Sequence, residues 1–369
     1  MQRAHGVPLP DLEVGLWQDA LELPEALAAT LRDADGFDDV SSVLSHRSVR
    51  RIVVAGNGAS HYVGLNLWLA SLCGGGRRPR AQVVAIPAGL LATGHFAWQS
   101  GDVLVAVSSS GEFRDVVDAV LDDRSSRPCV AITASPDSTI GTRVSARALV
   151  SVVGERAVTH TQAYCGAVVA SLAIWARLTG DKELELALHH VVERYATLLA
   201  SAGAWASERL APLETPAAGV SFGSGPAFAA ALEAALLMKE VARVPWEGAE
   251  TREGATSAMY SLGPGQLVLA IGSEQDPLLR EAELACSRAG ATVLRLPETE
   301  ADVRLTALTS FPTALVTAIT FGRRRGLDVD RPGWIDGYYA TARPADAHAP
   351  TRAMPVGTGA TTAPKEGGD

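Results

Sequence analysis

The chain places three hydroxyls and a glycine where a phosphate can be gripped. Residues 108–112 read Ser108-Ser109-Ser110-Gly111-Glu112, between the apolar run 103–107 and helical spacing that begins near 114. Residues 56–60 read Gly56-Asn57-Gly58-Ala59-Ser60 and follow a second apolar run, 52–55, in the same way. A helix N-terminus leaves amides unpaired and carries partial positive charge, which suits an anion. Serine hydroxyls add donors, and glycine lets the backbone approach a ligand closely. One such loop is ordinary cap and turn chemistry. Two on neighbouring strands of one sheet point to an anion site, because ligands of a doubly wound sheet sit beyond the carboxyl ends of its strands. A dinucleotide is not expected: "GNGASHYVG" departs from G-x-G-x-x-G, and no acidic residue ends the next strand, "AQVVAIP".

Composition limits the partner. A formal net charge of −9 argues against nucleic acid and against an anionic membrane surface, both of which need a basic footprint. A bound phosphate must therefore be held locally. Cys73, Cys129, Cys165 and Cys286 have no short pair spacing, so neither a zinc cage nor a disulfide framework is expected, and no cofactor or metal motif is present. The first residues, "MQRAHGVPLPDLEVG", lack the apolar run of a signal peptide. The apolar run from Cys165 to Leu178 falls short of the roughly 20 residues that span a bilayer and reads as a buried helix. The expected location is cytoplasmic, with no membrane.

The elements that must position the two loops alternate strand and helix. A helix fits "LPEALAATLRDA", with Pro24 at a position where a missing amide costs little. "RRIVVAGNGASHYVGLNLWLASL" reads strand, glycine turn, helix; "AQVVAIP", "VLVAVSSSGEFRDVVDAVLDD", "RPCVAITASPDSTIG" and "ALVSVV" continue the alternation. Short continuous apolar runs are what strands covered on both faces require, and the order implies a parallel sheet with right-handed crossovers. Residues 158–209 are helical throughout, more apolar than one sheet face needs, which predicts a dimer. The pattern then restarts: "GVSFGSGPAFAAALEAALLMKE" repeats strand, turn and helix, "GQLVLAIGSEQDPLLREAELACSRAG" mirrors 101–120, and "ATVLRLP" adds a strand. The expected fold is α/β: two similar doubly wound parallel-sheet halves with flanking helices. The expected divisions are a helical segment over 1–40, domains over 41–210 and 211–339, and a disordered tail over 340–369. The second half offers "GSEQD" in place of the serines, so the anion site is expected in the first half alone.

At five places the chain resembles the sugar isomerase (SIS) family of phosphosugar-binding domains, above all its tandem members: the isomerase half of glucosamine-6-phosphate synthase and the fructosamine-6-phosphate deglycases. They are "LPEALAATL" at Leu23, "GNGASHYVG" at Gly56, "VSSSGE" at Val107, "ERAVTHTQAY" at Glu155 and "ALEAALLMKE" at Ala231, in the family's order and spacing. The resemblance implies a sugar phosphate as the small-molecule partner, bound by Ser60, Ser108, Ser109, Ser110 and the Gly111 backbone, with Glu155 and Thr161 nearby. It matches Glu240 to the glutamate that carries a proton between C1 and C2, and it implies a homodimer sharing its sites.

The departures concern cations. Phe113 stands where the family has a threonine, Gln162 and Leu237 where lysines are usual, and Ala255, Thr256 and Ser257 where a ring-opening histidine is expected. The C-terminal "DVDRPGWIDGYYA" resembles the family's closing segment without its lysine. Glu240 is the candidate base, with Glu155 and Glu253 as further acids; Glu247 and Glu250 read as a loop face. His160 either replaces the missing histidine or is a structural imidazole; His61 caps or packs. Arg323–Arg325 read as a solvated helix end. Two function classes follow: an enzyme working at C1–C2 of a sugar phosphate or amino-sugar phosphate, as isomerase or deaminase/deglycase, and a sensor or assembly subunit that binds the same ligand without chemistry.

Overall fold

A computed structural model describes residues 12–77, 79–122, 127–298, 302–332 and 335–342. Helices α1 (Gly15–Leu21), α2 (Leu23–Leu31) and α3 (Ala34–Ser45) come first, the last running past the expected boundary at 40. Then come β1 (Arg51–Gly56), α4 (Ala59–Leu72), β2 (Gln82–Pro87), α5 (Ala88–Ala92), β3 (Asp102–Val107), α6 (Arg114–Leu121), β4 (Cys129–Thr133), α7 (Thr139–Arg143) and β5 (Ala146–Leu149). These strands form one parallel sheet in the order β2-β1-β3-β4-β5. Every residue of β3 is buried, as its unbroken apolar run requires of a strand with helices on both faces.

Three long helices follow, α8 (Gln162–Thr179), α9 (Lys182–Glu193) and α10 (Tyr195–Arg209). The chain continues through β6 (Gly219–Gly223), α11 (Pro226–Glu240), β7 (Trp246–Glu250), α12 (Thr251–Gly254), β8 (Leu267–Ile271), α13 (Pro277–Arg288), β9 (Thr292–Arg295), α14 (Thr306–Thr309), α15 (Phe311–Arg324) and α16 (Ile335–Ala342). A second parallel sheet has the order β7-β6-β8-β9. Its four strands run in the same order as the first four of the other sheet. The expected tail lies outside the described residues beyond Ala342.

One reading is corrected by packing. Glu247 and Glu250 lie on β7, a strand paired with β6, rather than on a loop; with only Trp246 and Ala249 buried, it has no apolar run to announce it. Helix α8 is buried on all sides from Gln162 to Ala176, with α2, α3, α4 and α9 packed around it. Its apolar character is used within one chain. The stretch Val303–Arg324 is apolar and long enough to cross a bilayer, yet 94% of its most apolar window is buried inside the protein. The ends of the described chain meet: the Asp330 carboxylate accepts the Gly15 and Leu16 amides at 2.9 and 2.8 Å, and its carbonyl accepts the Val158 amide at 2.8 Å.

Candidate functional site

The serine loop leaves the central strand and is held from within. The buried Ser108 hydroxyl accepts the Gly111 amide at 3.1 Å, and Ser110 accepts the Glu112 amide at 3.3 Å. The Glu112 carboxylate accepts the amide and the hydroxyl of Thr139, at 2.7 and 2.8 Å, which ties the loop to α7. Gly111 has φ +65°, and a Cβ there would lie 1.9 Å from Ser138 Oγ, so only glycine fits. Ser109 braces the loop through its carbonyl alone, which accepts the Thr133 hydroxyl and the Ala134 amide, both at 3.2 Å. It faces a small cavity of about 30 Å³, lined also by Ser60, Thr133, His160 and Tyr164. The second loop meets the first at that cavity. Asn57 donates to Asp115 at 3.0 Å and accepts the Ala88 amide at 3.2 Å, which fixes the turn between β1 and α4 and leaves Ser60 on the cavity wall. Phe113, which begins α6 without a side-chain cap, packs on the sheet's apolar face.

The segment ahead of α8 forms the third wall. Glu155 accepts His160 Nδ1 at 2.7 Å and the amides of Thr161 and Ala163 at 2.9 and 3.1 Å. Burial pushes its carboxyl up, but His160 and these amides outweigh that and hold it below the ordinary carboxylate range. Glu155 is thus a brace for His160 and for the start of α8. Gln162, where the resemblance led to a lysine, is buried and fully engaged: it donates to the carbonyls of Asp19 and Gly154 and to Glu22, and accepts from Val153 and Gly154. The buried Thr161 hydroxyl has no partner among the described residues.

Glu240 ends α11 and reaches this wall, accepting the Thr159 hydroxyl at 3.3 Å. Burial raises its carboxyl, opposed by His160, by the Thr159 bond and by Lys239. One group escaped the sequence reading. Glu233 lies two turns before Glu240 on the same helix, is 3% exposed, and keeps Oε2 buried without a partner. Burial, and next the charge of Glu240, holds its carboxyl well above the usual range. An acid inside the run "AALEAALLM" was the available signal, since a helix otherwise lined by Ala and Leu has no wet face to spare for it.

Other candidates lie apart. Glu253 is exposed on α12, and among the described residues no contact joins it to Glu240, His160 or the serine loop. Its carbonyl accepts the hydroxyls of Thr256 and Ser257. Leu237 is buried, His61 is half-buried with its pKa lowered by burial, and Arg323–Arg325 are exposed at the end of α15.

No protein-family profile and no curated protein matches the sequence. Solved structures do match. A protein from Silicibacter pomeroyi described as a phosphosugar isomerase shares 22% identity at a TM-score of 0.70, over 86% of this chain and 100% of that one. The C-terminal domain of glucosamine-fructose-6-phosphate aminotransferase from Francisella tularensis gives 17% and 0.72, over 87% and 99%. Glucosamine-6-phosphate deaminase from Thermotoga maritima gives 19% and 0.68, over 82% and 97%. The chain has the fold of these phosphosugar proteins. At such identities the likeness is one of fold, and it spans nearly the whole length of each of these relatives. The serine-lined cavity and Glu240 are features of this chain's own residues.

Proposed function

We propose that the protein binds a sugar phosphate or amino-sugar phosphate through Ser60, Ser109 and the braced serine loop, and moves a proton between C1 and C2 with Glu240. The observation that carries this reading is the meeting of three elements: the two loops of the first sheet share one cavity with His160, and Glu240 is tied to Thr159, the residue before it. Proton transfer beside a carbonyl needs a placed base. Imine chemistry needs a lysine, and the chain has three, Lys182, Lys239 and Lys365. Lys182 is exposed and bound to Glu185, Lys239 is exposed and not among the residues that line the cavity, and Lys365 is outside the described residues. Enolisation, as in an aldose–ketose isomerase, fits better than a Schiff base. With Gln162, Leu237 and Thr256 in place of cations and imidazole, the substrate is expected to bind already ring-opened. The shared strand order supports an internal duplication, with a first half to about 210, a second to about 339, and homodimers as the resemblance implies.

The test is solvent deuterium exchange at C1 and C2 of bound sugar phosphates, followed by proton NMR. Glu240→Gln should slow exchange by roughly 10²–10⁴-fold and leave binding nearly unchanged. Equal exchange in parent and variant removes Glu240 as the base. A second reading, a binding-only sensor or assembly subunit, is favoured by the full engagement of Gln162 in bracing. Tight binding of a sugar phosphate without any exchange selects it.

A further inference from the structure

Three helices carry buried polar groups without partners among the described residues, and one of them lines the cavity. Tyr164 on α8 lines it, is 3% exposed, and has a buried hydroxyl with no partner among the described residues. Its ring is fixed against Phe311, with centroids 5.3 Å apart. Glu233 on α11 leaves Oε2 in the same condition, and Asn66 on α4, one turn after Tyr62, leaves both side-chain polar atoms so. Tyr62 and Tyr164 both feel the charge Glu233 would carry, and Tyr62 feels that of Glu240 as well, so these side chains form one electrostatic neighbourhood. A buried hydroxyl without a partner is costly, so one carried by a residue of the cavity wall is suited to a ligand oxygen.

We propose that Tyr164 is the hydrogen-bond donor to the substrate oxygen on which negative charge develops, and that the buried Glu233 on α11 is its neutral neighbour. This rests on the proton transfer assigned above to Glu240. When Glu240 takes the proton from the carbon beside the carbonyl, that C–H pair becomes the C1=C2 bond and the carbonyl π pair moves onto oxygen. The oxygen then bears charge, which the Tyr164 hydroxyl meets without giving up its proton. The hydroxyl proton on the carbon that lost its hydrogen then passes to this oxygen across the cis-enediol, the pair left on the second oxygen forms the new carbonyl, and the C1=C2 pair takes the proton from Glu240 at the original carbonyl carbon. With no lysine or arginine on the cavity wall, a neutral donor in dry surroundings is a stabiliser that can act beside His160, as a phenol and a protonated carboxyl do in known enolising sites. Glu233 must stay uncharged, because an anion at this place would oppose the charge forming on the oxygen. The burial that raises its carboxyl serves that end.

The experiment compares Tyr164→Phe, Glu233→Gln and Glu233→Asp with the parent, by calorimetric affinity for glucose 6-phosphate and glucosamine 6-phosphate, by deuterium exchange, and by affinity for a phosphorylated sugar hydroxamate that mimics the enediolate. Tyr164→Phe should hold sugar-phosphate affinity within about threefold while exchange falls by roughly 10²–10³-fold and the hydroxamate weakens in step. Glu233→Gln, neutral and still a donor, should keep exchange within about fivefold, and the Asp variant should lose more. Parent-like exchange and hydroxamate affinity in Tyr164→Phe would overturn the donor role, and a Gln variant as inactive as Tyr164→Phe would overturn the neutral role of Glu233. A parent that binds these probes without exchanging them, or does not bind them, instead ends the reading of Glu240 as proton carrier, and the donor role with it.

Discussion

Thr159 donates its hydroxyl to Glu240 Oε2 at 3.3 Å, joining the segment that follows the first sheet to the helix that leaves the second. The bond and the nearby His160 pull the Glu240 carboxyl down, while burial, the larger influence, pushes it up. A raised base is available only at higher pH. Exchange should therefore climb with pH along a limb displaced above the ordinary carboxylate range, near pH 4.3. Thr159→Val and His160→Ala each remove a downward influence, so each should move that limb to still higher pH. A pH–rate profile of exchange reads this directly, and a limb that moves down or stays put in both variants would contradict the placement of Glu240.

The serines divide by duty. Ser60 and Ser109 line the cavity, whereas Ser108 is committed to the Gly111 amide. Ser109→Ala with Ser60→Ala should weaken sugar-phosphate binding by about 1.5–3 kcal/mol for each lost hydrogen bond to the charged group, with an unchanged melting temperature. Ser108→Ala should instead cost about 1 kcal/mol of stability, because it strands a buried amide. Calorimetry and thermal melts on the same samples separate the two effects; equal loss of affinity and stability in all three would mean the duties are not divided.

Gly111→Ala tests whether the loop's shape is the binding element. The added methyl meets Ser138 Oγ at 1.9 Å from a backbone at φ +65°, so either the loop or the start of α7 must move. The expected cost is about 1–3 kcal/mol of stability with loss of sugar-phosphate binding. Gly111→Ala combined with Ser138→Gly relieves the clash but not the backbone strain, and should recover part of each. Full binding by Gly111→Ala alone would show that the loop tolerates another path.

Most strands could be read from the sequence because parallel, doubly covered strands are unbroken apolar runs, as at Val103–Val107. The serine loop was legible for the same reason: its polar cluster ends such a run. β7 was not, since an edge strand carrying Glu247 and Glu250 has no such run. The roles of Glu155 and Gln162 were hidden for a different reason. Gln162 bonds to Asp19, 143 residues away, and Glu155 to the His160 ring and to the Thr161 and Ala163 amides, and no residue-type pattern reports such partners. Glu253 shows the converse: spacing from a motif suggested a site, but the acid projects from the end of the other sheet.

Gln162 should prove structural. Its amide closes a set of bonds between Asp19 on α1, Glu22 and the turn at 153–154, inside the protein. Gln162→Leu leaves the Val153 amide and the Asp19 and Gly154 carbonyls without this partner and should cost about 2–4 kcal/mol, at the upper end of single substitutions. Denaturant unfolding measures it. Gln162→Lys should destabilise as well, since a buried ammonium cannot accept the amides of Val153 and Gly154. A stable, exchange-enhanced Lys variant would instead mean the position retains a catalytic geometry.

Glu233 makes stability depend on pH with a definite sign. Its folded carboxyl is raised above the unfolded value, first by burial and then by Glu240. The native state therefore holds a proton that the unfolded chain has released, and the stability this group contributes is fully present below the unfolded pKa, near 4.3. It is lost as pH rises from there toward the raised folded pKa, at about 1.4 kcal/mol per pH unit for a single group. Glu233→Gln cannot ionise and does not share the loss. Parent and variant should thus differ least near pH 4, and the variant's relative stability should grow steadily across the neutral range. Urea unfolding at pH 4, 6 and 8 decides it, with the linear slopes checked for constancy so that the comparison stays two-state. A difference that is flat with pH would mean Glu233 is ionised in the folded protein, and the interior would then have to supply a cationic partner for its buried oxygen.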